Sequence, residues 1–309
     1  MPSSFRVVRQ LASGGITEVV LAERTRHDGS VEPIVVKRVL PAMKDERTFL
    51  DHFLEESALA LRFDHPNIVR ALDAGTDDGL PYLVMERLEG VDLRIVLRHL
   101  EAAGHGLSPA VACGIGAGIA SGLDYAHAVA DDDGPLHVVH RDISPHNVFI
   151  TTDGGVKILD FDIAKTGVHG TPARPARWSP VMGKVAYMAP EALSGLDIDC
   201  RSDLFALGVV LWELLVGKRL WKREDEQATR RAICEESALP PSAAAPGVPR
   251  IVDPAVMGLL SKFPCSRPSC ASDIASVLEG IAAALGGGSK ANLARAIAAE
   301  ILPFTGPPA

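Results

Sequence analysis

Two carboxylates and an amide carry the most chemistry in this chain. Within VVHRDISPHNVFI, Asp142 stands five residues ahead of Asn147, and Asp160 follows at the end of the apolar run VKILD. Such a set suits phosphoryl transfer. One carboxylate orients an attacking hydroxyl, while oxygen donors hold Mg²⁺ against the phosphates of a nucleotide. A cation is also available: Lys37 lies in the valine-rich run PIVVKRVL, and a lysine there rarely faces an interior without an anionic partner.

Several elements must position these groups. Residues 5–40 alternate apolar and polar positions around glycines, predicting three strands joined by turns. From 48 to 62, Phe49, Phe53, Leu54, Leu59 and Leu61 recur at helical spacing. Residues 68–72 and 82–85 read as strands on either side of the turn-forming GTDDG. Beyond Glu89 and Gly90 the pattern is mainly helical, at 93–103, 109–128, 204–215 and 254–262. The order predicts a small strand-rich lobe (1–85), a connection (86–91) and a larger helical lobe (92–285). Residues 166–182 read as a long exposed loop of the kind that is usually functional or mobile. A Gly-Gly-Gly-Ser joint then opens a tail, 286–309, whose helix at 292–302 puts Leu293, Ile297 and Ile301 on one face. That face is expected to pack back on the large lobe, with docking of a partner or a second copy as the other use for it.

The whole chain narrows the classes. At 309 residues and 47% hydrophobic it can bury a substantial core. A net charge of −8 with no basic stripe excludes a nucleic-acid footprint. The five cysteines form no Cys-x-x-Cys pair and no zinc spacing, and His137 and His140 lack a third ligand, so reduced thiols and no structural metal are expected. MPSSFRVVRQ lacks the apolar core of a signal peptide. The longest apolar run, 204–216, falls short of the roughly 20 residues a membrane helix needs. The expectation is a soluble cytoplasmic protein without nucleic-acid or membrane partners. CGIGAGIASG looks dinucleotide-like, but Ile119 takes the third glycine's place within a helical run, so a close helix–helix contact is expected there.

His-Arg-Asp-x-x-x-x-Asn ahead of Asp-Phe-x is accompanied, in order, by LASGGITEVVLAE, PIVVKRVL, FDHPNIV, YLVMERLEGVDL, VMGKVAYMAPE, CRSDLFALG and SRPSC. Over roughly residues 5–280 the chain thereby resembles the bacterial serine/threonine protein kinases of the eukaryotic type. The resemblance implies a two-lobed α+β fold: an antiparallel sheet with one prominent helix, then a mainly helical lobe. It implies ATP and Mg²⁺ as cofactors and Ser/Thr hydroxyls of proteins as acceptors. Asp142 would orient the acceptor hydroxyl, and Asn147 and Asp160 would bind Mg²⁺. Lys37 would hold the phosphates and pair with a helix glutamate, Glu56 or the neighbouring Glu55, with Glu56 preferred by counting back from the FDHPNIV segment. Ala12, Ser13, Gly14 and Gly15 would lay backbone amides over the phosphates. Met85 would back the adenine pocket, the Glu86 carbonyl and the Leu88 amide and carbonyl would meet the adenine edge, and Val19, Val35 and Phe149 would sandwich the ring. Asp92 would reach the ribose or cap a helix. Glu191 would pair with Arg267, and Asp203 would brace the catalytic loop. Thr166, Thr171 and Ser179 are the hydroxyls open to regulatory phosphorylation.

The chain departs from the family pattern in three places. Ala12 and Thr17 stand where the first and third glycines of the phosphate loop usually lie. Ser144 replaces the lysine usual two residues after the catalytic aspartate, while Lys184 replaces a threonine near the end of the activation segment, an exchange in which Lys184 would supply the ammonium missing from position 144. Asp162 replaces the glycine of Asp-Phe-Gly, where glycine permits a backbone twist. These departures admit a second class, a nucleotide-binding or scaffolding pseudokinase, and a third, a small-molecule kinase using Asp160 and Asp162 on metal.

Overall fold

The computed structural model describes residues 5–26, 28–132, 134–161 and 184–304, which fall into two compact units. The first takes the residues up to His65, Val69–Leu88 and Phe161; the second takes Pro66–Ile68, Glu89–Asp160 and the residues from 184 onward. The division is not linear in sequence, for identifiable reasons. Ile68 bridges Ile158 in parallel, and Asn67 Nδ2 donates to Val156 O at 2.9 Å, which binds 66–68 into the second unit. The Phe161 ring lies tilted at 56° against Phe63 of the first unit, with centroids 4.8 Å apart.

In the first unit, β1 (Phe5–Ser13), β2 (Thr17–Thr25), β3 (Val31–Val39), β4 (Ala71–Asp77) and β5 (Leu80–Glu86) form one antiparallel sheet in the order β1-β2-β3-β5-β4. The single long helix α1 (Arg47–Ala60) packs on one face. Strand periodicity decides which side chains meet it. Val39 lies in the cluster with Met43, Phe49, Phe53, Ala71, Leu83 and Met85, with Val35 packed against it. Ile34 and Val36 turn the other way, to Val20, Ala22 and Val84. Lys37, in phase with Val35 and Val39, therefore shares the helix face. Two details differ from the sequence reading. Leu54 and Leu61 are each 43% exposed, because Phe49 and Phe53 already fill the inner stripe. The strand expected at 68–72 begins only at Ala71, and β4 runs on to Asp77, leaving a two-residue turn in which Asp78 and Gly79 have φ of 50° and 79°. That is the backbone a tight hairpin demands.

The second unit opens with β6 (Gly90–Asp92), α2 (Leu93–Ala103) and α3 (Pro109–His127), then a two-residue strand pair β7 (Ala130–Asp131) and β8 (Gly134–Pro135). β9 (Val148–Thr151) and β10 (Val156–Ile158) pair with β6 in a small sheet of order β10-β9-β6. Helices α4 (Pro190–Leu193), α5 (Cys200–Val216), α6 (Glu226–Glu235), α7 (Pro241–Ala244), α8 (Asp253–Leu259), α9 (Ala271–Ala282) and α10 (Lys290–Ile301) complete it. Asp92 caps α2, accepting from Ile95 N at 3.0 Å. The glycines of CGIGAGIASG are contact points on α3: a Cβ on Gly114 would meet Leu293, one on Gly116 Leu278, and one on Gly122 Ile158. The segment is a close-packing surface, as its helical context suggested. α5 is buried around almost its whole circumference, so it acts as the axis of this unit. The apolar face of α10 packs internally, with Ile297 and Ile301 at 3% and 1% exposure. All five cysteines are free thiols, and burial pushes the Cys113 thiol up to about 12. Among the described residues no helix is long and apolar enough to cross a membrane.

A bidentate clamp ties the second unit together. Arg267 Nη1 and Nη2 donate to Glu191 Oε1 and Oε2 at 2.6 and 2.8 Å, and Ser202 Oγ adds a bond to Oε1 at 2.8 Å. Burial pushes the Glu191 carboxyl upward, but the bonds from Arg267, its own backbone amide and Ser202 outweigh it and hold the group below its ordinary 4.5. The pair's contribution is therefore complete above about pH 4.5 and fades as acid protonates Glu191. Arg267→Ala, which strands a buried carboxylate, should cost about 3–5 kcal/mol in urea unfolding at neutral pH. The deficit relative to the unaltered chain should shrink below pH 4.5.

Candidate active site

In the first unit, the valine alternation that puts Lys37 on the helix face brings it to α1. Its Nζ lies 3.3 Å from Glu56 Oε1, and both side chains are largely buried. Glu55, one helical step round, is exposed, so the choice between the two glutamates is decided by the helix phase. Val19 pairs across the sheet with Lys37, and Val35 with Met85. The hairpin between β1 and β2 turns at Ala12–Thr17, where Gly14 N donates to Thr17 O at 2.8 Å. A Cβ on Gly14 would find nothing nearer than that oxygen at 3.5 Å, and one on Gly15 nothing within 4 Å. Among the described residues, packing does not demand glycine at either position. Glu86 uses its carboxylate locally, Oε1 accepting from Arg70 N at 2.8 Å, and Leu88 follows β5 half-buried.

In the second unit, the loop 140–147 is held from below by Asp203 on α5. Asp203 Oδ2 accepts from His140 N and Oδ1 from Arg141 N, both at 2.8 Å, and His127 Nε2 approaches Oδ2 at 2.8 Å. This grip fixes Arg141 at φ 66°, a left-handed conformation uncommon for its type. Asp142 N donates to His140 Nδ1 at 3.2 Å, so Nε2–H of that buried ring is the donor to Leu159 O at 2.9 Å. Leu159 N in turn donates to Asn147 O at 2.8 Å. The loop is thereby stitched to the residue immediately before Asp160, which itself has φ 46°. Two strained non-glycine residues in one constellation are characteristic of functional sites. Phe149 lies half-buried on β9, next to the loop in sequence.

Asn147 Nδ2 donates to Asp142 O at 3.0 Å and to Asp142 Oδ2 at 2.7 Å. The amide nitrogen is thus committed to Asp142, and Oδ1 is the atom of this side chain suited to a hard cation. Among the described residues no group of three or more His, Cys, Asp or Glu is gathered to hold an ion. An amide and a carboxylate, with phosphate oxygens completing the shell, are how Mg²⁺ is usually bound. The donor set fits that ion.

Some expectations land elsewhere. Asp92 spends a carboxylate oxygen on its cap, which favours the capping role. Lys184 opens the short 3₁₀ turn Lys184–Tyr187, while Ser144 is buried and its hydroxyl has no hydrogen-bond partner among the described residues. Asp162, Thr166, Thr171 and Ser179 lie outside the described residues. One cluster was missed from sequence. Tyr187 donates to Glu213 Oε2 at 2.8 Å, and Arg219 donates both to the Tyr187 hydroxyl and to Glu213 at 3.0 Å. Burial raises the Glu213 carboxyl despite Arg219, and raises the Tyr187 phenol well above its ordinary value. A lone glutamate inside a thirteen-residue apolar run was the signal; a fully buried carboxylate needs such partners.

Residues 5–277 match the sequence model of the family described as protein kinase domain. The chain belongs to that family, and its relatives place it among the bacterial kinases of the eukaryotic type. It is 37% identical to tyrosine-protein kinase MasK of Myxococcus xanthus over 276 residues, covering 89% of this chain and 42% of that protein. It is 34% identical to serine/threonine-protein kinase PrkC of Bacillus subtilis over 272 residues, covering 87% and 39%. The solved kinase domain of PknI from Mycobacterium tuberculosis superposes with a TM-score of 0.64 at 26% identity, over 91% of this chain and 96% of that one. The chain spans about two fifths of the length of the curated relatives it matches.

Removal of the Asp203 carboxylate should loosen the loop before anything else. Asp203→Ala deprives two buried amides of their acceptor and should cost about 3 kcal/mol or more. Hydrogen exchange should accelerate first at His140 and Arg141, while Asp203→Asn, which keeps one carbonyl acceptor, should fall between the two.

Proposed function

We propose that this chain transfers the γ-phosphoryl group of ATP to Ser/Thr hydroxyls of protein substrates. The observation that carries this reading is the Lys37–Glu56 ion pair, since that pairing belongs to a catalytically competent arrangement of the family. Lys37 binds the α- and β-phosphates, with Glu56 holding its ammonium in place. The turn of Ala12, Ser13, Gly14 and Gly15 covers the phosphates. Met85, Val19, Val35 and Phe149 provide apolar contact for adenine, and the Glu86 carbonyl and Leu88 backbone bind its edge. Asp142, fixed by Asn147, orients the acceptor hydroxyl and takes its proton. Asn147 Oδ1 and Asp160 would hold Mg²⁺, which would supply positive charge against the phosphate oxygens. Positioning and electrostatics supply the rate, with little covalent chemistry by the protein.

A pseudokinase remains the principal rival because of Asp162 in place of glycine. The retained Lys37–Glu56 and Asp142–Asn147 pairs weigh against it. A small-molecule kinase is disfavoured by the match over residues 5–277. A tyrosine acceptor has a specific argument: the relative at 37% identity is named a tyrosine-protein kinase, and Ser144 replaces the lysine usual in serine/threonine enzymes. Free thiols at all five cysteines accord with a reducing, cytoplasmic setting.

Incubation with labelled ATP, Mg²⁺ and a generic basic protein should give incorporation that Asp142→Asn lowers by about 100-fold or more. Nucleotide affinity should persist in that variant, and hydrolysed product should contain phosphoserine or phosphothreonine. Equal labelling by both proteins would support the scaffold, and phosphotyrosine alone the tyrosine reading.

Burying the Ser144 hydroxyl without a partner costs about 1–3 kcal/mol, which an arriving cation or phosphate oxygen would relieve. We infer that Lys184 supplies the ammonium that position 144 lacks. Lys184→Ala should then lower the transfer rate by about tenfold or more with nucleotide affinity little changed, and an unchanged rate would refute the exchange.

A further inference from the structure

The family match ends at residue 277, yet the helix that follows the glycine joint is built into the catalytic half of the second unit. β9 and β10 form a hairpin whose open end carries Asn147 and Asp160 and whose closed end turns at Thr151–Gly155. At that turn Gly154 has φ 85°, and a Cβ placed on it would lie 1.8 Å from Ala294 O of α10. Backbone meets backbone there, with no room for any side chain. α10 is anchored on both sides of this contact. Leu293 packs where a Cβ on Gly114 of α3 would stand, at 2.7 Å, and Ile297 and Ile301 are buried. Glu300 Oε1 and Oε2 accept from Ser108 N and Oγ, both at 2.6 Å. Ser108 makes no side-chain cap of its own on α3, so Glu300 terminates that helix from outside. Phe304 stacks on His99 of α2 at 5.1 Å.

We propose that α10 is a positioning strap: by holding the closed end of the β9–β10 hairpin, it fixes the metal-binding residues Asn147 and Asp160 at the open end. The strap's effect on catalysis rests on the function proposed above; its effect on the hairpin does not. Glu300, Ile297 and Gly154 are positioning residues, acting through the hairpin and not on the substrate.

The full chain carrying Glu300→Gln, Ile297→Asp or Gly154→Ala tests this by amide hydrogen exchange and by kinetics. Glu300→Gln is the mildest and carries the test if Ile297→Asp fails to fold; Gly154→Ala counts only alongside these two, because φ 85° strains an alanine there whatever α10 does. The strap predicts exchange of the Thr151 and Gly154 amides faster by roughly tenfold, with α5 unchanged. It also predicts a several-fold higher Mg²⁺ requirement for transfer, relieved by excess Mg²⁺, with KM for the protein substrate unaltered. Hairpin exchange that stays unchanged, or that rises only together with α5, would overturn it. If the unaltered chain transfers no phosphate, the kinase reading fails, and the exchange comparison alone decides the strap.

Discussion

One buried carboxylate organises the catalytic half of this protein. Asp203 sits on α5, a helix enclosed on nearly all sides, and would be prohibitively costly there without donors. It finds them in His140 N, Arg141 N and His127 Nε2. The consequence runs outward. Two consecutive amides pulled onto one carboxylate set the left-handed turn at Arg141, the turn presents Asp142, and Asp142 receives Asn147. His140 then passes the constraint to Leu159 and so to Asp160. The three residues read as catalytic from their spacing are therefore positioned by a carboxylate buried on α5. Glu191 with Arg267, and Glu213 with Tyr187 and Arg219, apply the same logic elsewhere in the unit, each buried acid answered by a guanidinium.

The sequence made most of this visible where one period dominates. Alternation through β3 placed Lys37 on the face of α1, and the helical phase separated Glu56 from Glu55. It misled where two periods or two faces overlap. Leu54 and Leu61 satisfy a helical count yet lie outside, because the aromatic pair Phe49 and Phe53 suffices for the inner stripe. The start of β4 was read too early because Ile68, apolar and β-branched, belongs to a bridge with Ile158 in the other unit. The short strands β6 and β9 are too brief for a periodic signal of their own.

Side-chain pairings distant in sequence were legible only through resemblance. Nothing local in residues 200–205 says that Asp203 reaches residue 140, or in 264–268 that Arg267 reaches Glu191. Where the family pattern is silent, so was the reading: the Tyr187–Glu213–Arg219 cluster and the Glu300–Ser108 bonds are specific to the folded chain. The elements around positions 144 and 184 form despite the departures there.

The proposed function requires that Lys37 and the Asp142–Asn147–Asp160 set serve one nucleotide. A crystal structure with Mg²⁺ and a non-hydrolysable ATP analogue addresses it most directly. The account predicts Lys37 Nζ within hydrogen-bond reach of both Glu56 and a phosphate oxygen, with Asn147 Oδ1 and Asp160 on the metal. A nucleotide bound with its phosphates away from Lys37, or a metal that neither Asn147 nor Asp160 touches, would contradict it.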